Sequence, residues 1–216
     1  MARQQRVVIV GGGVIGLLTA FNLAADVEQV IVLERGGAGQ ESSWAGGGIV
    51  SPLYPWRYNC AVTALAHWSQ DFYPQLAERL FASTGIDPEV HTTGLYWLDL
   101  DDEAQALEWA GREGRPLGAV DMSAVHDAVP VLGGGYAHAI YMANVANVRN
   151  PRLVKSLKAA LQAMPNVTVH EQCEVLGFVR EGERVCGVNT ARGEIRGDEV
   201  VSVSYTHLRA HETCAD

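Results

Sequence analysis

The chain has 216 residues, 48% of them hydrophobic and 19% charged, which is enough to bury a core in one or two domains. Its 16 Lys and Arg against 25 Asp and Glu give a formal net charge of -9, which argues against a nucleic-acid partner and its basic footprint. No stretch reaches the roughly 18 apolar residues of a membrane span, and the cysteines at 60, 173, 186 and 214 form no C-x-x-C pair or regular framework, as expected of a cytoplasmic, reducing setting.

Arg3 and Arg6 precede an apolar run, as in a secretory leader, but glycines at 11, 12, 13 and 16 interrupt that run and a second strand follows it. Val7-Val8-Ile9-Val10 reads instead as a strand buried on both faces of a parallel sheet. Val14 to Ala25 reads as a helix buried on most sides, and Val30 to Leu33 as a second buried strand ending in Glu34. Strand, glycine turn, helix and strand make the βαβ unit of a doubly wound fold.

Gly11, Gly13 and Gly16 stand at the strand-to-helix junction with the G-x-G-x-x-G spacing. Gly11 allows the tight turn, Gly13 lets a pyrophosphate approach the backbone, and Gly16 lets the helix pack closely. The helix amino terminus supplies free N–H groups and a partial positive charge to the phosphates. Glu34 lies 18 residues after Gly16, close to the spacing at which a carboxylate accepts hydrogen bonds from a ribose diol. Arg35 opens a second reading, the 2′-phosphate of NADP, which the neighbouring Glu34 carboxylate would repel.

Ser42-Ser43-Trp44-Ala45-Gly46-Gly47-Gly48-Ile49 is a small-residue loop too long to be a mere connection. Tyr54-Pro55-Trp56-Arg57-Tyr58 reads as a packed surface loop, with flavin shielding or carboxylate guidance as the alternative. A helix is expected over 61–83 with a kink at Pro74, strands over 93–98 and 137–142, and a helix over 103–113. Asn150 as cap and Pro151 at the first helical position start another helix that runs to Met164. Segments 167–170, 174–180, 184–190 and 194–201 read as a small antiparallel meander. The histidines at 67, 91, 126, 138 and 170 have neither metal-ligand spacing nor a paired nucleophile, so no metal site and no catalytic side chain is assigned. Asn166-Val167-Thr168 matches a glycosylation acceptor only as a chance turn.

The run Val-Ile-Val-Gly-Gly-Gly-Val-Ile-Gly, Glu34 and Glu-Ser-Ser-Trp-Ala-Gly-Gly-Gly-Ile together resemble the D-amino-acid oxidase and glycine oxidase family of flavoproteins, most nearly the bacterial glycine oxidases of thiamine biosynthesis. The resemblance implies an α/β fold: a Rossmann-like FAD-binding domain with a parallel sheet and a small β-meander, plus the first part of an α+β substrate domain. It places the first FAD-domain segment at 1–84, the partial substrate domain at 85–148 and the second FAD-domain segment at 149–202. It implies FAD as cofactor, with Ser42, Ser43, Gly47, Gly48 and Ile49 as flavin contacts. Val14, Ile15, Glu34 and Arg35 would then lie on the phosphate and adenosine side, and Val175 would touch adenine through its backbone.

The activity implied is oxidative deamination of a small amino acid or amine, with oxygen as acceptor, in a cytoplasmic enzyme whose full-length parent is open to homo-oligomerisation. A flavin-linked dehydrogenase with another acceptor and an NAD(P)-binding Rossmann protein are the rivals. The segment from Val203 to Thr213 resembles a translated transposon-type sequencing adapter, so 203–216 is expected to be a non-native tail. The spacing of His207, His211 and Cys214 offers a metal site as the rival reading there. The chain is accordingly expected to be an inactive fragment.

Overall fold

The computed structural model describes residues 3–204. In chain order its elements are β1 (Arg3–Val10), α1 (Val14–Leu23), β2 (Val27–Leu33), a one-turn α2 (Ser42–Ala45), β3 (Ile49–Val50), a 3-10 turn (Pro55–Arg57), α3 (Cys60–Thr84), β4 (His91–Thr92), β5 (Leu95–Leu98), α4 (Glu103–Glu113), β6 (Leu117–Val120), α5 (Met122–Ala128), β7 (Ala139–Met142), β8 (Ala146–Asn147), α6 (Asn150–Gln162), β9 (Val167–His170), β10 (Val175–Glu181), β11 (Arg184–Thr190), β12 (Gly193–Arg196) and β13 (Glu199–Ser202). They fall into two compact units. The first holds residues 3–47, 79–88 and 150–204; the second holds Gly48–Glu78 and Glu89–Arg149. Helix α3 contributes to both and stays helical through Pro74.

A parallel sheet of order β13-β1-β2-β9 organises the first unit. Side chains alternate across such a sheet. Val8, Val10, Ile31 and Leu33 point one way, into a cluster with Cys173 and Val188 that Phe178 and Ile195 of the β10-β11-β12 meander complete. Val7, Ile9, Val30 and Val32 point the other way, toward α1 and α6, which pack on each other and bury Leu17, Ala20, Leu153 and Leu157. The continuous β-branched runs follow from this, because both faces of the central strands are covered.

Three expectations need correction. The meander has three strands, not four: β9 pairs in parallel with β2 at the sheet edge, Val30 opposite Val167. Its Val-Thr-Val-His alternation comes from that half-covered edge position. Segment 194–201 is two strands, because Gly197 and Asp198 break it. Asp198 receives the Arg6 N–H at 2.8 Å, and a Cβ at Gly197 would lie 2.8 Å from Val8 Cγ2. β13 then turns to run parallel to β1. Finally, α1 buries one face only, through Gly16, Leu17, Ala20 and Phe21, and leaves Ile15 59% exposed.

The second unit is built on tryptophan. Trp56, Trp97 and Trp109 are buried with Ala106, Ile140 and Met142, over the antiparallel sheet β5-β7-β6. Trp56 and Trp97 meet edge to face at 5.3 Å, and Trp97 Nε1 donates to the Leu53 carbonyl at 2.8 Å. The Tyr54 to Tyr58 segment thus packs, as the plainer of its two readings holds. Arg57 lies 4.1 Å over the Tyr54 ring and bonds Asp102 at 2.7 Å. Hydrogen bonds from Arg57 and then Trp56 hold the Asp102 carboxyl down at about 2.

Candidate functional site

The carboxyl end of β1 is where this sheet changes direction of growth. β2 follows on one side through α1, and β13 returns on the other. Open α/β sheets bind ligands at such a point. Gly11 makes the turn there with φ +110°, its N–H donating to the Leu33 carbonyl at 2.8 Å. A Cβ on Gly16 would lie 1.9 Å from the Gly11 carbonyl oxygen, so the first turn of α1 sits directly on that bend. The sequence reading did not single out Gly12, yet a Cβ there would meet Glu34 Cβ at 2.7 Å. Its signal was available in the unbroken Gly-Gly-Gly run.

Gly13 differs from these. An added Cβ would meet only the Ser43 hydroxyl, at 3.1 Å, and no backbone. Gly13 is the N-cap of α1, with no side chain to satisfy the helix amides and no acid in the first turn. One amide, the Val14 N–H, donates to Ser43 Oγ at 2.9 Å. The remaining donors and the positive end of the helix suit an anionic group. Ser42 and Ser43 open α2, a helical turn where a loop is expected, and Gly46 ends it with its carbonyl held by Asn150 Nδ2 at 2.9 Å. Helix α6 begins at Asn150 itself, which is the first helical residue and not a cap, and whose side-chain NH2 donates to the Gly46 carbonyl.

Glu34 is placed at the adjacent strand end. Its Oε2 accepts the Gly12 N–H at 2.7 Å and its Oε1 the Gly36 N–H at 2.9 Å. Each oxygen keeps a further lone pair, so a diol could still be bound. Arg35 donates through Nε and Nη2 to a single oxygen, Glu41 Oε1, at 3.1 and 2.7 Å and does not stand free for a 2′-phosphate. Val175 begins β10 opposite Thr190, just after Cys173, whose N–H donates to the Glu34 carbonyl at 2.8 Å. The structure thus brings Gly11, Gly13, Val14, Ile15, Gly16, Glu34, Arg35, Ser42, Ser43, Gly47 and Val175 into one unit. Gly48 (φ +75°) and Ile49 belong to the second unit, where Ile49 pairs with Asn147 and Gly48 accepts the Val148 N–H at 2.8 Å.

Val203 and Ser204 take part in this corner. Val203 N–H donates to the Val10 carbonyl at 2.9 Å, and both residues back onto Gly11. The rest of the expected tail, with its His207, His211 and Cys214 reading, lies outside the described residues. Among the described residues no group of three or more His, Cys, Asp or Glu could hold a metal ion, and no helix is long and apolar enough to cross a membrane. His67 sits 6.0 Å from Trp109, its imidazole pushed down by burial and then by the Arg115 charge.

Known proteins resemble this chain over most of its length. The profile of a family described as FAD dependent oxidoreductase (DAO) matches residues 6–204. A glycine oxidase of Pseudomonas putida is 76% identical over 197 residues, covering 91% of this chain and 54% of that protein. One from Pseudomonas aeruginosa is 63% identical over the same shares. A crystal structure of glycine oxidase from Geobacillus kaustophilus superposes with TM-score 0.82 at 28% identity, over 94% of this chain and 56% of that one. The chain spans about half the length of the curated relatives it matches.

Proposed function

The chain belongs to the FAD dependent oxidoreductase family, and from that premise we propose that the whole protein oxidises glycine, a D-amino acid or a related small amine, with oxygen as electron acceptor. The observation that carries the reading on this chain's own atoms is the amino end of α1. It is bare of acidic side chains, capped by glycine, and met by one serine hydroxyl under the turn that closes β1. That is a place for a diphosphate. In the proposed arrangement Gly11, Gly13, Val14, Ile15, Gly16, Ser42, Ser43 and Gly47 hold the phosphates, Glu34 the ribose, Arg35 the same edge through Glu41, and Val175 the adenine. For Gly48 and Ile49 the flavin role rests on the resemblance alone.

Bound FAD supplies the two-electron acceptor for the hydride that leaves the substrate α-carbon. With FAD bound, the substrate would leave as an imine that water hydrolyses to a keto acid or aldehyde and ammonia or, from an N-methyl substrate, methylamine, and the two electrons and two protons would reduce oxygen to peroxide. What the protein's residues do is bind and orient. The helix amides and Ser43 fix the phosphates, Glu34 fixes the sugar, and the buried sheet beneath them keeps these donors from moving. The likeness to proteins named glycine oxidase supports glycine as substrate; a step in thiamine biosynthesis as the role and the cytoplasm as the place are proposed on the family resemblance alone.

A direct test uses the purified whole protein. Its visible spectrum should show bound flavin, and glycine, sarcosine or D-alanine should drive oxygen uptake with peroxide formation. Dye reduction without oxygen uptake would move the assignment to a dehydrogenase, and a colourless protein that binds NADP would end the flavin reading.

A further inference from the structure

The loop that follows Glu34 is held from outside the glycine motif. Gly36 N–H binds Glu34 Oε1, and the Gly36 carbonyl receives the Gln172 N–H at 3.1 Å. Two residues on, the Ala38 N–H donates to Glu171 Oε1 at 2.7 Å. The same carboxylate oxygen receives Lys158 Nζ of α6 at 2.6 Å. Ala38 is 2% exposed, and Gly39 is pressed against Val154, one turn before Lys158. Near its start, the same helix holds the Gly46 carbonyl through Asn150. Helix α6 is thus tied to the backbone of both cofactor loops, two turns apart.

We propose that Glu171 is a positioning residue for the adenosine side of the FAD site: anchored by Lys158, it fixes the Gly36–Ala38 backbone and, through Gly36, the direction of the Glu34 carboxylate. Glu171 touches no reacting atom. It acts through a chain of bonds from Lys158 to Ala38, along the backbone to Gly36, and from Gly36 N–H to Glu34. Losing the acceptor at Ala38 frees the loop to turn its amide to water, at little cost to the flavin-free fold, so Glu34 would have to be reordered each time the ribose binds. The hydrogen bond from Lys158 and then that from the Ala38 amide lower the Glu171 pKa. The inference rests on the FAD reading above.

The experiment titrates FAD, and separately adenosine 5′-monophosphate, into the flavin-free whole protein in four forms: wild type, Glu171→Ala, Glu171→Gln and Lys158→Met. Glu171→Ala should raise Kd for both ligands about tenfold. Glu171→Gln should stay within about threefold of wild type because it keeps the acceptor for Ala38, whereas Lys158→Met, which removes the anchor, should raise Kd by about three- to tenfold; a Lys158→Met with wild-type Kd overturns the anchoring. At saturating FAD all four should share one kcat, and the flavin-free proteins should melt together. An unchanged Kd in Glu171→Ala overturns the proposal. So does a Glu171→Gln as weak as Glu171→Ala, or a loss of Kd that comes with an equal fall in the flavin-free melting temperature, which would mark a merely structural role. A wild-type protein that takes up no FAD overturns the flavin reading itself.

Discussion

The three glycines of the motif look equivalent in sequence and are not equivalent in space. Gly16→Ala would drive a Cβ to 1.9 Å from the Gly11 carbonyl oxygen, a backbone atom that cannot step aside. We expect it to cost about 1–3 kcal/mol of stability as an overpacked contact, read as a lower urea midpoint with or without FAD. Gly13→Val meets only a hydroxyl, so the urea transition should move by about 1 kcal/mol or less, the scale of a changed helix cap. Yet FAD retention should be lost, because the branched side chain fills the approach to the α1 amides. An unfolded Gly13→Val variant, or one that still carries flavin, would contradict this division of roles. The division itself was legible in the sequence, because the spacing and the strand before it assign each position. Glu171 was not, since it acts on Ala38, 133 residues earlier, and leaves no local pattern.

At the scale of elements, periodicity served where an element stands alone. Helix α4 has the bounds its apolar spacing predicts, Glu103–Glu113. It failed where the partner decides. Val167-Thr168-Val169-His170 has the alternation of an antiparallel strand and pairs in parallel with β2, whose Val30 lies 137 residues earlier in the chain. The two-residue strands β3, β4 and β8 carry no pattern at all and exist only through one another. Asp102, which begins α4 in the tryptophan unit, gives this scale its prediction. Its pKa lies at about 2 in the folded chain, below the usual carboxylate value near 3.9 in the unfolded one. The unfolded state therefore binds the proton first as pH falls. The contribution is complete above about pH 4 and is lost as pH drops toward 2, so melting temperature followed by tryptophan fluorescence should fall across that window. Asp102→Asn should flatten this part of the acid limb, and an unchanged limb would remove Asp102 from the account.

For the molecule as a whole, the relatives set the expectation. A chain that matches about half of a glycine oxidase leaves the outer edge of β13 without a strand on it among the described residues, and an unpaired parallel edge favours association with other chains. We expect the 216-residue chain expressed alone to form no peroxide from glycine, sarcosine or D-alanine. Substrate-dependent peroxide from that chain, with flavin bound and one cooperative urea transition, would show the expectation wrong.

The register of β1 against β13 also sets a timetable. Val7 pairs with Glu199, 192 residues further along, so β1 leaves the ribosome long before its neighbour exists. At synthesis rates of roughly 5–20 residues per second the wait is on the order of 10 to 40 seconds. For that time one flank of the strand Val7 to Val10, among the most apolar in the chain, has no partner of its own. The βαβ unit can dock β2 early, but the floor of the phosphate turn closes only when Val203 reaches the Val10 carbonyl. We therefore expect cofactor capture to come late, after β13 has been made, and holding chaperones to have their longest opportunity at the first strand made.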